Sequence, residues 1–478
     1  MKRNLRILLL LPIIASLASC NNDSSSLPPS SSAPSSSTSS SGQAEYVDYI
    51  HDSNVKLTLA YEGKSFVKDG IQKVTLDTCI DGDTAHFDAG SDGKIKARYY
   101  GIDTPESTGK VQPFGTGASN FNKEKLEAAN ENGTIVITGV HLDEYVPPEF
   151  DSTGSRYVTL IWINTEKKDA KPEELVLLNL WIVQEGWSNV KNVLDLPDFA
   201  DTFYAAEKQA QALKLNLFSG EDDPLFNYGD YEDASLLDIK KEIVASIQDP
   251  EHKNAYDNKK VRIVGTVAGY SNSILYIQNY DAEADEYAGI NFYVGMGEPS
   301  TAFKTVGTYI ECCGLGVDSD TFGFQLTDGN FNILSTAENV AKVLIPADEN
   351  VDEFALHTFE FKPGELKEAN FEILNCSVEL TEEVTVVGGY TNTDNNETTL
   401  YVEDSAGNEL DYDIFVPFIY RPDPNNFRLK YDDYTDYVGQ KFLIKGVYTY
   451  HHRFSSGRIG YQINPSNSND IVLVEEEA

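Results

Sequence analysis

Acidic and basic side chains that could share one catalytic site lie within residues 80–106. Asp83 and Asp103 end two strand-like runs, with Arg98 between them and Glu106 just beyond. Carboxylates at the ends of neighbouring strands can converge on one hard cation, and Ca²⁺ prefers several oxygen ligands in a flexible arrangement. Glu106 follows a Thr-Pro pair that cannot continue a regular strand, so its carboxylate can face the same site as a general base. The types and spacing of these residues therefore predict a cation site beside a general base.

The spacing of Arg98 leaves the direction of its side chain open. Arg98 precedes Asp103 by five residues, and on a flat strand an odd spacing puts two side chains on opposite faces. A bulge or a strong twist at Gly101 would bring both side chains to the same side. A second interpretation also stays open, in which Asp83, Asp103 and Glu106 are turn residues that only solvate the strand ends of an acidic chain.

The order of these residues resembles the staphylococcal nuclease, or thermonuclease, family. The resemblance rests on Asp-Gly-Asp-Thr at residues 81–84, Arg98, Asp-Thr-Pro-Glu at 103–106, a later turn that ends at Arg156, and the segments 178–186 and 206–219. It covers residues 71–220, about a third of the chain. Several collinear fragments with a shared spacing are far more specific than any one of them alone.

The resemblance implies a Ca²⁺-dependent nuclease and a role for each site residue. The implied metal ligands are Asp83, Asp103 and the backbone carbonyl of Thr104, and the implied catalytic residues are Arg98, Glu106 and Arg156. The glutamate would activate a water for in-line attack on a phosphodiester phosphorus, and the two arginines would stabilise charge on the phosphoryl oxygens. This division suits phosphoryl transfer, which depends chiefly on positioning and charge stabilisation, and the arginine fork matches phosphate oxygens. The implied products are a 5′-hydroxyl and a 3′-phosphate on DNA or RNA.

Length and charge limit how the chain can bind a nucleic acid. Its 478 residues suit several domains rather than one. The chain has 37 Lys and Arg against 76 Asp and Glu, a net charge of -39, which excludes long-range attraction of a polyanion. Substrate binding is therefore expected to depend on a local positive patch formed by Arg98, Arg156 and the bound cation.

The cysteines do not form the pattern of a disulfide framework. Cys79, Cys312, Cys313 and Cys376 lack the Cys-x-x-Cys spacing of a metal site. We expect them to be buried free thiols.

The first 43 residues carry export signals rather than a fold. Residues 1–19 begin with basic residues, continue through an apolar stretch and end in Leu-Ala-Ser before Cys20, which is typical of a secretory signal and resembles a bacterial lipobox. The resemblance implies lipid on Cys20 and a protein exported and anchored to the outer face of the cell membrane. Residues 20–43 are mostly Ser, Pro and Thr, too polar to fold, and predict a flexible linker. The alternative is an uncleaved membrane helix, although Pro12 interrupts the short apolar segment.

Short alternating strands from residue 44 onward predict a mainly β fold with some α. Within residues 44–220, five such strands are accompanied by helices near 118–129 and from Pro197. This combination suits an OB-type barrel, the fold that the resemblance also implies. Alternation at residues 55–59 predicts a further strand at the edge of this nuclease barrel.

A series of five strands then occurs twice. After a capped helix at 235–247, five strands between residues 261 and 326 recur in the same order between residues 384 and 463, with most glycine positions repeated. The fourth strand of each series is predicted at residues 306–310 and 438–444. We interpret the two series as OB-like barrels at residues 230–345 and 346–478. The order of strands alone leaves a different five-stranded fold open.

One basic and aromatic segment interrupts the acidic C-terminal half. Its candidate nucleic-acid-binding residues are Tyr448, Tyr450, Arg453, Phe454 and Arg458. OB barrels often bind single strands through such a loop, by stacking and local charge. The alternative is an ordinary hairpin with aromatic pairs across its strands.

Together these features predict a calcium-dependent endonuclease at the cell surface, with DNA and/or RNA as substrate and no obligate protein partner. Export and the predicted chemistry suggest that it degrades extracellular nucleic acid for nucleotide uptake. Two alternatives stay open. In the first, the chain is a catalytically weak surface lipoprotein that binds nucleic acid or another ligand. In the second, its C-terminal barrels bind a partner protein or glycan and deliver the nuclease to that site.

Overall fold

The computed structural model describes most of the chain from Tyr46 onward. The described residues are 46–193, 195–249, 251–295, 299–319, 323–335, 355–367, 370–423, 428–453 and 458–474, with the backbone alone at 319, 452, 453, 458 and 459. The predicted signal segment 1–19, the lipidation site Cys20 and the linker to residue 43 lie outside the described residues.

The first barrel is a sheet whose strands close on themselves. Its elements are α1 (Tyr49–Asp52), α2 (Phe66–Asp69), β1 (Ile71–Cys79), β2 (Thr84–Asp88), β3 (Lys94–Tyr99), β4 (Ile102–Asp103), α3 (Gly115–Asn132), β5 (Thr134–Thr138), β6 (Tyr157–Asn164), β7 (Val176–Leu177), α4 (Leu178–Gln184), β8 (Asn189–Val190) and α5 (Pro197–Ala212). Strands β3, β2, β1, β5 and β6 are neighbours in that order, and a parallel pairing of β3 with β6 closes the barrel. The short strands β4 and β8 pair separately, next to the ends of the barrel strands.

Helix α5 covers this barrel with one apolar face. Pro197 occupies its first turn, where a missing N–H leaves no hydrogen bond unmade. Phe199, Phe203, Ala206 and Ala210 follow at the spacing of one helix face and are buried. The helix predicted to begin at Pro197 is therefore confirmed, as is the helix predicted near residues 118–129, which is α3.

The second barrel follows a capped helix. Its elements are β9 (Glu232–Asp233), α6 (Leu236–Gln248), β10 (Lys260–Ser271), β11 (Ile274–Asp281), β12 (Glu286–Tyr293), β13 (Tyr309–Ser319) and β14 (Gly323–Ser335). The hydroxyl of Ser235 accepts a hydrogen bond from the Asp238 N–H at 3.3 Å, which is the predicted N-terminal cap of α6. Strands β11, β12, β14, β13 and β10 are neighbours in that order, and β10 pairs with β11 to close the barrel.

The third barrel repeats the same circuit. Its elements are β15 (Phe359–Phe361), β16 (Cys376–Leu380), β17 (Val384–Asn392), β18 (Glu397–Glu403), β19 (Asp413–Val416), β20 (Lys441–Arg453), β21 (Arg458–Asn464) and β22 (Ile471–Leu473). Strands β20, β17, β18, β19 and β21 are neighbours in that order, and β20 pairs with β21. Counted along each barrel, all three sheets have the order 1-2-3-5-4 with a parallel pairing of strands 3 and 5. The fold is thus mainly β, with an OB-type first barrel followed by two OB-like barrels.

The three barrels do not have three separate hydrophobic cores. The second and third barrels share one continuous apolar cluster, which also includes Phe114, Leu217 and Phe218 of the first part of the chain. By its contacts, the part from Tyr46 to Ala478 forms one compact unit. The domain boundaries at residues 220–230 and 345–346 therefore stay predictions.

Three local predictions have a different outcome. Residues 55–59 are not a strand, although Val55 and Leu57 are buried, because the alternating residues pack on the barrel without pairing with it. The strands predicted at 306–310 and 438–444 begin only at Tyr309 and Lys441. In both cases a glycine with positive φ just before the strand turns the chain.

The cysteines are free thiols in the described part of the chain. Cys312, Cys313 and Cys376 are buried, as predicted, whereas Cys79 is half-buried. Burial raises the pKa of the Cys79 thiol to about 12. Among the described residues, no helix has the length and apolar character needed to cross a membrane.

Candidate active site

The turn between β1 and β2 places two aspartates beside β4. The Asp81 N–H donates to the Thr84 carbonyl at 3.2 Å, and the Asp83 N–H donates to Oδ1 of Asp81 at 3.1 Å. Gly82 lies between them, and a Cβ there would lie 2.6 Å from Oγ1 of Thr104. A residue without a side chain is therefore needed for the turn to pack this closely against Thr104.

Arg98 joins Asp83 and Asp103. Gly101, between β3 and β4, has a φ of 81°, a left-handed conformation that turns the chain sharply. As a result Nη2 of Arg98 lies 2.8 Å from Oδ1 of Asp103, and Nη1 forms an ion pair with Oδ1 of Asp83. Of the two directions that the spacing of Arg98 allowed, the structure has the one in which both side chains face the same side.

The carboxylate of Asp103 accepts hydrogen bonds from four donors. Oδ1 accepts from Arg98 and, at 3.0 Å, from Nζ of Lys191. Oδ2 accepts from the N–H and the hydroxyl of Thr301 at 2.9 and 2.8 Å. Burial by itself would raise the pKa of Asp103, but Lys191, Arg98 and Thr301 hold that pKa below its usual value. Because a carboxylate has about four lone-pair positions, this arrangement uses its full acceptor capacity.

Glu106 lies at the rim, past the Thr-Pro turn. Its N–H donates to Oε1 of Gln112 at 3.2 Å, which fixes the backbone. Although the residue as a whole is exposed, the protein around its carboxyl group limits hydration. This desolvation and the negative charge of Asp81 raise the pKa of Glu106, and Arg98 partly offsets the increase. A raised pKa moves the carboxylate toward the range in which it is an effective proton acceptor.

Arg156 ends the predicted turn and directly precedes β6. Its Nε donates to Oδ2 of Asp151 at 2.7 Å, and the Asp151 N–H donates to the Arg156 carbonyl at 2.8 Å. Partial burial opposes ionisation of Asp151, but hydrogen bonds from Thr153 and Arg156 lower its pKa to about 2. The aspartate is therefore ionised at neutral pH and holds the guanidinium in place.

The three predicted catalytic residues line one cavity, which we call the arginine cavity. Its volume is about 410 Å³, and its lining includes Arg98, Glu106, Arg156, Asp81, His86 and Lys96. A second cavity of about 380 Å³ shares Glu106 and Thr108 with the first. Asp103, Thr104 and three lysines line this second cavity. The rim at Glu106 therefore separates a space with two guanidinium groups from a space with three ammonium groups.

The predicted calcium ligands lie next to one another. The Thr104 N–H donates to Oδ2 of Asp83 at 3.0 Å, and Asp83 and Asp103 both contact the guanidinium of Arg98. In the described part of the chain, no three Asp, Glu, His or Cys side chains are arranged as a ready metal site. The two carboxylates and the Thr104 carbonyl are nevertheless the oxygen ligands that Ca²⁺ prefers, and the carboxylates converge on one positive group. The residues therefore fit the cation, provided that Arg98 moves away from both carboxylates.

The predicted nucleic-acid-binding segment in the third barrel does not present its tyrosines to the solvent. Tyr448 is 0% exposed and Tyr450 is 7% exposed. The ring of Tyr448 stacks on Tyr461 of β21, with 5.8 Å between centroids. The prediction that these two tyrosines stack on bases is therefore wrong, because β20 directs their rings into the core, as in an ordinary aromatic hairpin. Phe454 lies outside the described residues, and the structure describes only the backbone at Arg453 and Arg458.

Three residues of the site were missing from the sequence predictions. Asp81 belongs to the same Asp-Gly-Asp motif as Asp83, so the motif itself was a signal for it. Lys191 and Thr301 lie 88 and 198 residues from Asp103 in the chain. No local pattern connects residues so far apart.

Comparisons with known proteins match part of this chain to one family. Residues 96–220 match the sequence model of the family described as Staphylococcal nuclease homologue. A thermonuclease from Staphylococcus intermedius is 28% identical to the chain over 143 residues, which make up 29% of this chain and 71% of that protein. The region matched by the family model includes Arg98, Asp103, Glu106 and Arg156, and it ends shortly after α5. Residues 96–220 of the chain are therefore similar to the staphylococcal nuclease family.

Proposed function

We propose that the first barrel is a nuclease that hydrolyses phosphodiester bonds of DNA and/or RNA. The observation that carries this proposal is the convergence of Arg98, Arg156 and Glu106 on one cavity of about 410 Å³. Two guanidinium groups that face a carboxylate suit a phosphodiester, because arginine forks bind phosphoryl oxygens and the carboxylate can accept a proton. The similarity of residues 96–220 to the staphylococcal nuclease family supports the same class of reaction.

In the proposed reaction, Glu106 accepts a proton from the attacking water. The water oxygen then bonds to phosphorus in line with the leaving 5′-oxygen, which takes up a proton as its bond to phosphorus breaks. The products are a 5′-hydroxyl and a 3′-phosphate. Arg98 and Arg156 donate hydrogen bonds to the phosphoryl oxygens as their negative charge increases. Asp151 holds Arg156 for this task through the ion pair at 2.7 Å.

Ca²⁺ is the proposed cofactor. The carboxylates of Asp83 and Asp103 and the carbonyl of Thr104 would hold it, and when bound it would add positive charge that stabilises the phosphate in the transition state. Withdrawal of Arg98 from the two carboxylates would at the same time release its guanidinium to bind the substrate. The support for this exchange is that one guanidinium contacts both carboxylates.

The proposed site of action is the outer face of the cell membrane, with Cys20 as the lipid anchor. The support is the composition of residues 1–43, and the proposed role is degradation of extracellular nucleic acid for nucleotide uptake. A strain without this protein should grow poorly on nucleic acid as the only source of nucleotides. Normal growth of that strain would remove the nutritional role and leave the enzymatic proposal intact.

One observation favours a second candidate function. All four acceptor positions of Asp103 are used by Arg98, Lys191 and Thr301, which competes with ligation of a cation. A barrel that keeps this arrangement would bind nucleic acid through its arginines without cleaving it. The chain would then be a nucleic-acid-binding surface lipoprotein, not a nuclease.

Cleavage of single- and double-stranded DNA and of RNA by the full chain, with Ca²⁺ or with EDTA, separates the two candidates. Glu106→Gln removes the proposed base, and Glu131→Gln is a matched control because Glu131 is exposed at the end of α3. We expect Ca²⁺-dependent cleavage that falls about 100- to 10,000-fold in Glu106→Gln, the usual contribution of a general base. The control variant should cleave at the wild-type rate.

The two outcomes have different consequences. Cleavage that survives Glu106→Gln would contradict the proposed base, and cleavage that survives EDTA would contradict the proposed cofactor. If the folded chain binds Ca²⁺ and DNA but cleaves neither DNA nor RNA, the binding function replaces the nuclease.

A further inference from the structure

A loop formed by residues 299–308, just before β13 of the second barrel, lies against the candidate active site of the first barrel. Ser300 is 4% exposed. Its hydroxyl donates to the Asp103 carbonyl at 2.7 Å, and its N–H donates to Oε1 of Gln112 at 3.3 Å. Thr301 donates two hydrogen bonds to Oδ2 of Asp103. Both the backbone and the side chain of this aspartate are therefore held by the second barrel.

The same loop is connected to the proposed base. Oε1 of Gln112 accepts from the N–H of Ser300 at 3.3 Å and from the N–H of Glu106 at 3.2 Å. One amide oxygen therefore joins the backbone at Glu106 to the second barrel. The position of the loop affects the geometry of Asp103 and Glu106 together.

The core of the second barrel fixes the position of this loop. Residues Thr301–Lys304 form one 3-10 turn, and Ala302 and Phe303 within it are buried. The ring of Phe303 lies 6.1 Å from the ring of Phe331 in β14. Because Phe303 is part of the packed interior, the direction of Thr301 is set by the fold of the second barrel.

The cavity beside the loop contains three lysines from both barrels. Lys110 and Lys191 come from the first barrel and Lys304 comes from the second, and all three line the cavity of about 380 Å³, which we call the lysine cavity. Nζ of Lys191 lies 3.0 Å from Oδ1 of Asp103, and Nζ of Lys110 lies 3.7 Å from Oδ1 of Asp328. The lining also contains the carboxylates of Asp103 and Glu106, so three ammonium groups against two carboxylates leave a net charge of about +1. In a chain with a net charge of -39, this is a local positive patch that suits an anion.

The lysine cavity is adjacent to the place proposed for the scissile phosphate. It shares Glu106 and Thr108 with the arginine cavity. A nucleic-acid strand carries a phosphate on every nucleotide. When one phosphate lies between Arg98 and Arg156, the strand can therefore continue past Glu106 and bring the next phosphate into the lysine cavity.

We propose that the second barrel is part of the active site. Its Thr301 is a positioning residue that orients Asp103, and its Lys304 joins Lys110 and Lys191 in a subsite for a backbone phosphate next to the scissile phosphate. This inference rests on the proposed nuclease function and adds to it a substrate subsite built from two barrels. The second barrel would then contribute substrate binding and the orientation of Asp103 to a site whose other residues lie in the first barrel.

The first test concerns the orientation of Asp103. Thr301→Val keeps the shape of the side chain and removes one of its two hydrogen bonds to the carboxylate, whereas Thr301→Ser keeps both. We expect kcat to fall about 10-fold in Thr301→Val, the loss expected for one hydrogen bond to a charged group, with little change in KM and with activity restored in Thr301→Ser. Thr305→Val is the matched control, because Thr305 is exposed and its hydroxyl donates to the Thr301 carbonyl, not to Asp103.

The second test concerns the phosphate subsite. Lys304→Gln should raise KM severalfold, leave kcat near the wild-type value and reduce the salt dependence of binding by about one phosphate contact. Lys241→Gln is the matched control, since Lys241 is exposed on α6 outside the lysine cavity. Binding of a fluorescent single-stranded oligonucleotide in the Glu106→Gln background measures the same contact without cleavage.

The outcomes separate this inference from the proposed function. If the wild-type chain cleaves but Thr301→Val and Lys304→Gln behave like their controls, the second barrel is not part of the site and the nuclease proposal stands. If the wild-type chain does not cleave, the nuclease proposal fails, and with it the role of Thr301. The phosphate subsite is then supported when Lys304→Gln weakens oligonucleotide binding relative to Lys241→Gln, and overturned when it does not.

Discussion

Replacement of Arg98 by methionine should tighten the binding of Ca²⁺ while it removes catalysis. Arg98 forms ion pairs with Asp83 and Asp103, the two carboxylates proposed as Ca²⁺ ligands. In the wild-type chain, the proposed cation would have to displace this guanidinium before it could use both carboxylates. Arg98→Met removes the competing positive group and keeps a side chain of similar length.

The magnitude follows from the contacts that Arg98 makes. A hydrogen bond to a charged group contributes about 1.5–3 kcal/mol. Arg98 makes two such contacts, but its side chain is 20% exposed and regains hydration when it withdraws, so we count one of them. Each 1.4 kcal/mol is a factor of ten in affinity, and Ca²⁺ should therefore bind Arg98→Met about 10- to 100-fold more tightly than it binds the wild-type chain.

The same variant should be less stable without the cation. Loss of one partner of a buried ion pair usually costs about 3–5 kcal/mol, and Asp103 keeps its contacts with Lys191 and Thr301. We therefore expect a loss near the lower limit, about 3 kcal/mol. Saturating Ca²⁺ should restore more stability to the variant than to the wild-type chain, because a ligand stabilises the folded state according to its affinity.

Calorimetric titration with Ca²⁺ and thermal unfolding with and without Ca²⁺ measure both effects. Lys96→Met is the matched control, because Lys96 is exposed and lines the arginine cavity. It removes the same charge near the same site, and its effect on Ca²⁺ affinity should be much smaller than that of Arg98→Met. If Ca²⁺ binds Arg98→Met no more tightly than the wild-type chain, the idea that Arg98 and the cation compete for one position is refuted.

Two further predictions concern pH and packing. Protonation of Glu106 should remove activity as the pH falls through its pKa, which lies above the ordinary value of 4.5. Asp81→Asn removes a negative charge that raises this pKa, so this variant should move the acidic limb of the kcat/KM profile to lower pH. Gly133→Ala should lower the Tm and destabilise the fold by more than about 2 kcal/mol, as overpacking does, because its Cβ would lie 1.6 Å from the carbonyl oxygen of Asn164. Gly139→Ala, whose Cβ would be no closer than 3.5 Å to any atom, is the control in the same unfolding measurement and should change stability little.

Local patterns in the sequence were sufficient for most of the fold. The apolar face of α5 and the serine cap of α6 are local features, because each depends on residues within a few positions of one another. The repeated strand series also indicated two further barrels with one topology. Residues 55–59 had the right alternation for a strand, and Val55 and Leu57 are indeed buried, but alternation predicts burial and not a pairing partner.

The site was only partly predictable, for the same reason. Arg98 could be assigned to the site through the motif. The direction of its side chain, however, depended on the backbone turn at Gly101, whose φ is 81°. Lys191 and Thr301 reach Asp103 only through the tertiary fold. For Tyr448, the aromatic and basic composition of the segment suggested an exposed binding loop, whereas the register of β20 with β21 puts the ring in the core.

The contact between Thr301 and Asp103 also has a consequence for the order in which the protein matures. The two residues are separated by 198 positions in the chain, and contacts between such distant positions form late because a long loop must close first. Within the described ranges, the strands of the first barrel sheet pair only with one another, within residues 71–177, and domains generally fold as units, so we expect this sheet to close before the contact forms. Asp103 gains its final orientation only when the second barrel has folded against it. We therefore expect a period in which the first barrel is folded but Asp103 does not yet have its final orientation.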